Sequence, residues 1–230
     1  MIDVNYRNRK YGSGERFKVK DKIVIVGGGG HAKVIINIIK KLNNYEILGY
    51  VDLIDRGLLL GVRYLGTDAV LLNIIEEHKY CKAVIGIGNT VISNKRYEIY
   101  KVLKEIGFEL PVIISKNAIV NEEVRIDEGS VLLDSVIINV CSSIGKCVIV
   151  NTGAIVEHDC EIGDFSHIAS GVVLSGGVRV NSNSMVGSGA TILHDKEIGE
   201  NCLIGSGAVV TKNCLEPGTY IGIPAIRINY

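Results

Sequence analysis

The sequence has no tryptophan and only three phenylalanine and three proline residues among its 230. Aliphatic side chains therefore supply most of its 47% hydrophobic content, which disfavours an aromatic-rich small barrel. Neither sign of charge is in excess, since 25 basic residues balance 25 acidic ones, and neither nucleic acid nor an anionic membrane is an expected partner. No apolar run approaches the ~20 residues of a transmembrane helix, so membrane insertion is not expected.

Residues 1–21 are polar and basic, and they lack the apolar stretch of a secretory signal peptide. They are predicted to form a solvated basic arm, and a cytoplasmic location is expected. A nucleic-acid-binding arm is disfavoured, because only Tyr6, Tyr11 and Phe17 provide aromatic side chains there.

From Lys22 onward, short apolar runs alternate with helical segments. Alternation of this kind is typical of a small parallel α/β sheet, so residues 22–115 are predicted to form a Rossmann-like lobe. The predicted strands are 23–26, 47–51, 83–87 and 112–114, and the predicted helices are 32–42 and 97–106.

Four consecutive glycines, Gly27 to Gly30, separate the first predicted strand from the first helix. Backbone N–H groups and a helix N-terminus create an anion site in such a turn. The turn also fits a dinucleotide fingerprint, with Asp52 at the end of the second strand. A lobe of about ninety residues lacks the second half of a dinucleotide fold, so a single nucleotide or nucleotide sugar fits better. The alternative is that the glycines serve only strand–helix packing.

The strongest pattern begins after Asn117, where sixteen hexapeptides run without an insertion from Ala118 to Asn213. Their third position is always isoleucine, leucine or valine, and their first position is valine, serine, alanine or cysteine in fifteen of the sixteen. This period predicts a parallel β-helix in which three hexapeptides make one triangular coil. Residues 116–230 are therefore predicted to form an all-β, left-handed β-helix of stacked coils.

The spacing of cysteines and histidines disfavours a metal site. Cys160, Cys202 and Cys214 fall at the small inward position, where cysteine acts as a compact apolar side chain. No two cysteines of the β-helix are eighteen residues apart, so neither a disulfide framework nor a zinc cluster is expected. A zinc site of the carbonic-anhydrase kind needs two histidines five residues apart, and no such pair occurs.

Three histidines of the β-helix are candidates for chemistry. His158 falls at a corner between Glu157 and Asp159, where an outward imidazole is accessible and a carboxylate favours its protonated form. His167 is predicted on a strand opposite that corner, so one site that used both histidines would lie between two subunits. His194 lies at the same corner two coils on, roughly 9–10 Å from His158, and is interpreted as a solvated residue.

Several segments resemble the left-handed β-helix sugar acyltransferases, which acetylate nucleotide-activated amino sugars in bacteria, and their sialic acid O-acetyltransferase relatives. These segments are IVIVGGGGHAKVI, GYVD, AVIGIGN, VIVNTGAIVEHDCEIGDFSHIASG and the closing GIPA. The resemblance extends from Lys22 to the C-terminus. It implies an acetyl-CoA-dependent N-acetyltransferase that acts on a UDP- or TDP-linked 4-amino-4,6-dideoxy sugar for surface glycan or glycoprotein biosynthesis.

The resemblance also implies roles for individual residues. His158 is expected to be the general base and Asp159 its acidic partner. The expected nucleotide-sugar pocket consists of Gly29, Gly30, His31, Asp52, Gly88 and Asn89, with Asn151 and Glu157 near the sugar. The expected contacts to acetyl-CoA are His167, Gly176, Ser188 and Ser206. Acetyl-CoA is then a co-substrate, no permanently bound cofactor or metal is expected, and a homotrimer is expected to hold its active sites between subunits.

Two features depart from the family pattern. The family often places an arginine soon after the Gly-Asn turn, where this chain has Ser93-Asn94-Lys95-Arg96. Its members usually begin almost directly with the first strand, so the basic arm is unexplained. Two alternatives stay open: an O-acetyltransferase acting on sialic acid or another sugar, and a non-catalytic β-helix scaffold that senses a nucleotide sugar.

Overall fold

Residues 20–89 and 91–228 are described by a computed structural model, so nearly all of the predicted basic arm lies outside the described residues. Within these two ranges, no helix is both long and apolar enough to cross a membrane. The chain forms an N-terminal α/β lobe followed by a β-helix, and this confirms the predicted fold class.

The lobe is built on a parallel sheet with the strand order β3-β2-β1-β4. Its strands are β1 (Asp21–Val26), β2 (Tyr45–Val51), β3 (Tyr64–Gly66) and β4 (Lys82–Ile85). Its helices are α1 (Gly30–Leu42), α2 (Leu71–Glu77) and α3 (Lys95–Ile106), and a 3₁₀ turn at Asp68–Val70 precedes α2. The predicted strands at 23–26, 47–51 and 83–87 and both predicted helices are thus confirmed.

The sequence prediction missed β3 and α2 and misplaced one strand. β3 is a three-residue edge strand and α2 has only seven residues, so neither is long enough to show a periodic pattern. The strand predicted at 112–114 was wrongly assigned to the lobe. Ile113 pairs with Val131, eighteen residues further on, and this pairing makes it the first strand of the β-helix.

The β-helix consists of short parallel strands that each pair with strands eighteen residues away, as three hexapeptides per coil require. The strands are β5 (Ile113–Ile114), β6 (Ile119–Val120), β7 (Arg125–Ile126), β8 (Val131–Leu132), β9 (Ile137–Ile138), β10 (Ser143–Ile144), β11 (Ile149–Val150), β12 (Ile155–Val156), β13 (Glu161–Ile162), β14 (His167–Ile168), β15 (Val173–Leu174), β16 (Arg179–Val180), β17 (Met185–Val186), β18 (Thr191–Ile192), β19 (Glu197–Ile198), β20 (Cys202–Ile204) and β21 (Val209–Val210). β22 (Gly218–Ile221) continues one sheet, and β23 (Ile226–Ile228) closes it antiparallel.

Three faces of the β-helix differ in the side chains that point outward. The lobe face contains β5, β8, β11, β14, β17 and β20, and its outward Ile113, Val131 and His167 are buried beneath the lobe. The apolar face contains β6, β9, β12, β15, β18 and β21, with outward Ile119, Ile137, Ile155, Val173, Thr191 and Val209. The charged face contains β7, β10, β13, β16 and β19, with outward Arg125, Ser143, Glu161, Arg179 and Glu197.

The inward side chains form one aliphatic core along the β-helix. The third hexapeptide position supplies large aliphatic side chains such as Ile138, Leu174 and Ile204, all fully buried. Each contributes roughly 1.5–3 kcal/mol by leaving water. Cys160 and Cys202 are buried in the same core, as the period predicted, and all six cysteines are free thiols.

The lobe and the β-helix share their packing. Helix α1 buries Ile35 and Ile36 in one cluster with Ile113 and Val131 of the lobe face. At the neighbouring corner, helix α3 contacts the coils through Tyr100, whose hydroxyl donates to Glu128 at 2.8 Å, while the Tyr97 and Tyr100 rings meet Phe165 edge-on. These contacts hold the lobe beside the coils that carry the candidate site.

Candidate functional site

His158 and Asp159 form a hydrogen-bonded pair at the corner between β12 and β13. The Nδ1 atom of His158 lies 2.8 Å from Oδ2 of Asp159, and both side chains are more than half exposed. Because a carboxylate only accepts hydrogen bonds, Nδ1 carries the proton of this contact, and Nε2 is the free acceptor of the neutral imidazole. An accessible imidazole held in this way can act as a general base.

The free edge of that imidazole lies over Gly176 in the next coil. Cε1 and Nε2 stand 2.5 and 2.6 Å from the position that a β-carbon at residue 176 would take. In the part of the chain that the structure describes, no backbone acceptor takes the N–H of Gly176. A backbone donor beside a general base is an arrangement that can stabilise an oxyanion.

A ladder of side chains holds Glu157 at the same corner. Asn121 Nδ2 donates to Asn139 Oδ1 at 3.0 Å, and Asn139 Nδ2 donates to Glu157 Oε2 at 2.8 Å. The three residues are eighteen apart and therefore stack on successive coils. Sequence reasoning singled out Glu157 and missed Asn121 and Asn139, although their shared place in the hexapeptide register was a signal that could have found them.

A cavity of about 500 Å³ lies in the lobe at the glycine turn. It brings together all six residues expected there from the lobe, namely Gly29, Gly30, His31, Asp52, Gly88 and Asn89. Helix α1 begins at this cavity without a side-chain cap and without an acidic residue in its first turn. Its first N–H groups and its dipole are therefore available to an anion.

Packing explains two of the four glycines in the turn. Gly27 has a φ of +114°, and a β-carbon on Gly28 would lie 2.9 Å from the ring of Tyr50. Gly29 and Gly30 have nothing within 4 Å of such an atom. The packing alternative therefore does not account for the second half of the turn, which opens onto the cavity.

Asp52 stands at the end of β2 and contacts the glycine turn directly. It accepts hydrogen bonds from the N–H of Gly28 at 2.6 Å and of Ile54 at 3.3 Å, and it pairs with Arg56 Nε at 3.5 Å. Partial burial acts to raise its pKa, but these hydrogen bonds and the Arg56 charge outweigh it, so the pKa lies below its ordinary value. Sequence reasoning missed Arg56, which also lines the cavity.

His167 lies beneath the Gly88–Asn89 turn, on the lobe face. Its Nδ1 donates to the Asn89 carbonyl at 3.1 Å, so its Nε2 is an acceptor, and Asn151 Nδ2 lies 3.4 Å from that atom. Burial, with the nearby charge of Arg96, lowers the pKa of His167 to about 4. The structure thus places His167 and Asn151 behind the lobe cavity and away from His158.

Arg96 is buried at the start of α3, and it donates to the Cys147 carbonyl across the lobe–helix junction. Burial lowers its pKa to about 10, so it stays charged at neutral pH. Its Nη1 and the Nε2 of His31 are buried without a hydrogen-bond partner among the described residues. Burial, together with the nearby His167 and Arg96, lowers the pKa of His31 to about 3. No local pattern indicated that Arg96 would be buried here.

Ser188 and Ser206 are exposed on successive coils at the corner between the lobe face and the apolar face. Gly176 belongs to the other corner of the apolar face. Within one chain the structure therefore does not bring together the four residues expected to contact acetyl-CoA. They lie on the lobe face and on both edges of the apolar face.

Comparison with known proteins identifies the two parts separately. A family model described as the PglD N-terminal domain matches residues 22–103, and a model of the bacterial transferase hexapeptide (six repeats) matches residues 177–212. Among proteins with curated descriptions, none matches the chain.

Solved structures match nearly the whole chain. A perosamine N-acetyltransferase from Caulobacter crescentus, solved with CoA and GDP-perosamine and with one histidine replaced by asparagine, is 31% identical, with 93% of this chain and 99% of that chain covered and a TM-score of 0.86. The acetyltransferase domain of PglB from Neisseria gonorrhoeae FA1090 is 32% identical, with 91% and 100% covered and a TM-score of 0.85. WeeI from Acinetobacter baumannii AYE is 25% identical, with 91% and 100% covered and a TM-score of 0.81. The chain therefore belongs to the left-handed β-helix family of sugar acyltransferases.

Proposed function

We propose that the protein is an acetyl-CoA-dependent N-acetyltransferase whose acceptor is the amino group of a nucleotide-linked 4-amino-4,6-dideoxy sugar. The observation that carries the proposal is the His158–Asp159 pair, whose free Nε2 lies over Gly176 at an exposed corner. The related perosamine N-acetyltransferase was solved with CoA and GDP-perosamine, so GDP joins UDP and TDP as a nucleotide to be tested.

The reaction follows from this geometry. The acceptor ammonium first loses one proton to solvent, because only a neutral amine has the lone pair that attacks the thioester carbon. As the tetrahedral intermediate forms, Nε2 of His158 takes a second proton from the nitrogen, and Asp159 stabilises the imidazolium. The N–H of Gly176 donates to the oxyanion. Collapse breaks the carbon–sulfur bond, and the imidazolium returns its proton to the departing CoA thiolate.

The lobe cavity would hold the nucleotide part of the acceptor. The N-terminus of α1, with the open Gly29 and Gly30, suits a diphosphate. Asp52 is ionised well below neutral pH and can accept from a ribose or a base. His167 and Asn151 support the Asn89 turn from behind, so we assign them a positioning role in acceptor binding.

We further propose a homotrimer in which the apolar face is covered by neighbouring subunits. Five of its six outward side chains are aliphatic, and the sixth is Thr191. Ile119, at one end of the row, is 53% exposed. An apolar strip of this length on a surface marks an association site. The corner with His158 borders the row on one side, and the corner with Ser188 and Ser206 borders it on the other. Association through this face would bring the two corners of different subunits together in one site.

The physiological part of the proposal rests on the family resemblance. A nucleotide-linked, N-acetylated amino sugar would supply surface glycan or glycoprotein synthesis. Because activated sugars and acetyl-CoA are both cytoplasmic metabolites in bacteria, we place the reaction in the cytoplasm.

The test is acetyl transfer by the full chain to a panel of acceptors. The panel contains GDP-perosamine, UDP- and TDP-linked 4-amino-4,6-dideoxyglucose, and the matching 4-hydroxy sugars, with released CoA thiol measured against a His158→Ala control. We expect amino sugars to be acetylated and the control to be inactive. Transfer only to hydroxyl acceptors would favour an O-acetyltransferase instead. Binding of nucleotide sugars without any transfer would favour the non-catalytic scaffold.

A further inference from the structure

A second His-Asp pair, His194–Asp195, occupies the same corner as His158–Asp159, two coils further along. The three turns at this corner are stacked by backbone hydrogen bonds. The Gly177 N–H donates to the His158 carbonyl at 2.9 Å, and the Asp195 N–H donates to the Gly176 carbonyl at 3.0 Å. The middle turn has glycine at both equivalent positions, so no side chain separates the outer two turns.

Side chains from the two outer turns lean toward each other across this dipeptide. The imidazole of His158 covers Gly176 from one side. From the other side, Oδ1 of Asp195 occupies the space that a β-carbon on Gly177 would need. The Asp195 carboxylate therefore turns back along the β-helix toward the general base.

Asp195 differs from the two carboxylates that flank His158, because its side chain has no partner among the described residues. Asp159 is bonded to His158, and Glu157 accepts from Asn139. Within the described ranges, the Asp195 side chain has neither an ion-pair nor a hydrogen-bond partner, although it lies beside the reacting centre of the proposed function. A carboxylate in this position attracts a cation and cannot donate to a hydroxyl oxygen.

We propose that the Asp195 carboxylate binds the protonated amino group of the acceptor sugar beside His158 and thereby selects amines over hydroxyls. The inference rests on the proposed N-acetyltransferase function and names a residue that sets its specificity. Asp195 would hold the ammonium over the Gly176–Gly177 dipeptide until it loses its first proton to solvent. The nitrogen is then next to Nε2 of His158, which takes the second proton during attack.

The experiment compares Asp195→Asn and Asp195→Glu with the wild-type chain. For the panel acceptor that the wild type acetylates, we expect Asp195→Asn to raise the acceptor KM about fivefold, the size of one exposed charge pair, and to leave the acetyl-CoA KM unchanged. The inhibition constant of the matching 4-hydroxy sugar, measured as a competitive inhibitor, should be the same in Asp195→Asn as in the wild type. The preference of the enzyme for the amine over the hydroxyl should therefore fall about fivefold. Asp195→Glu should recover most of that preference.

Glu123→Gln is the matched control. Glu123 occupies the equivalent position of the same corner, two coils on the other side of Asp159, and the His158 ring leans away from it. We expect this control to behave as the wild type. An unchanged amine preference in Asp195→Asn, or a rise in the acetyl-CoA KM instead, would overturn the inference while the proposed function stands. A wild-type chain that acetylates no amino sugar would instead refute the proposed function itself.

Discussion

The imidazole of His158 rests on Gly176, so the proposed general base is positioned by a residue that has no side chain. The ring atoms Cε1 and Nε2 come within 2.5 and 2.6 Å of where the Gly176 β-carbon would stand. Contact at that distance is sterically forbidden, and any side chain at residue 176 would have to move the ring. The position of the His158 ring thus depends on the next coil, which contains Gly176.

Gly176→Ala should impair catalysis by displacing His158. The φ of Gly176 lies outside the left-handed region, so the backbone accepts alanine and the fold should persist. A displacement of about 1 Å can cost ~10² in rate, and we expect a kcat loss of that order with a nearly unchanged melting temperature. Val140→Ala, at the equivalent position two coils before Gly176, is the control. In a double-mutant cycle, Gly176→Ala should add nothing to His158→Ala; additive losses would show that Gly176 acts independently of His158.

His158→Ala should remove turnover and keep acetyl-CoA binding. Loss of a general base typically costs ~10²–10⁴ in rate, and Asp159→Asn should cost less because the imidazole remains. Steady-state kinetics and calorimetry with acetyl-CoA measure the two effects separately. His194→Ala, at the same corner, serves as the comparison. Near-normal activity in His158→Ala would reject the general-base assignment.

Asp52→Ala should raise the acceptor KM more than it lowers kcat. Asp52 contacts the glycine turn in the lobe, away from the His158 corner. Its contact with the nucleotide would be the same in the ground state and in the transition state, so losing it weakens acceptor binding without slowing the chemical step. The acetyl-CoA KM should not change. Asp55→Ala tests an exposed carboxylate of the same loop, whose Oδ1 accepts from the Gly57 N–H. If Asp52→Ala lowers only kcat, the lobe cavity is not the acceptor site.

The stability of the chain should fall as the pH drops from about 6.5 to about 4. Burial holds the pKa of His167 at about 4, below its ordinary value of 6.5, so in this window the unfolded chain binds the proton that the folded chain excludes. The contribution is on the order of 3 kcal/mol when fully lost. His167→Gln keeps a donor for the Asn89 carbonyl and should lessen the dependence of the melting temperature on pH, while His31, whose pKa burial lowers to about 3, continues to contribute to it. His78→Gln is the control, and an equal slope in both variants would contradict the buried-histidine explanation.

Ile155→Glu should break the proposed trimer. It introduces a charge at the centre of the apolar face, and burying an unpaired charge in an interface is strongly unfavourable. Light scattering should show a smaller species that has lost activity. Ser143→Glu makes the same kind of change on the charged face and should leave the mass unchanged. An active monomeric wild-type chain would contradict both the proposed trimer and the proposed site between subunits.

The hexapeptide register allowed much of the candidate site to be predicted. It put His158 and His194 at one corner, because position in the repeat decides both the face and the direction of a side chain, whereas Gly176 entered only through the family resemblance. It also put His167 on another face. The direction in which the imidazole leans was beyond the register, since that depends on the empty space at Gly176 and not on local sequence.

The sequence by itself determined the repeat, the longer strands and helices of the lobe and the glycine turn, because each follows from local periodicity or from backbone freedom. Only the tertiary structure decided what covers the lobe face. An outward position such as His167 is expected to be exposed in an isolated repeat. In the structure His167 is buried beneath the Asn89 turn, and Arg96 of α3 is buried as well. The lobe and the coils are distant in sequence and differ in periodicity. Nothing in the local sequence of one segment therefore indicates that it packs against the other.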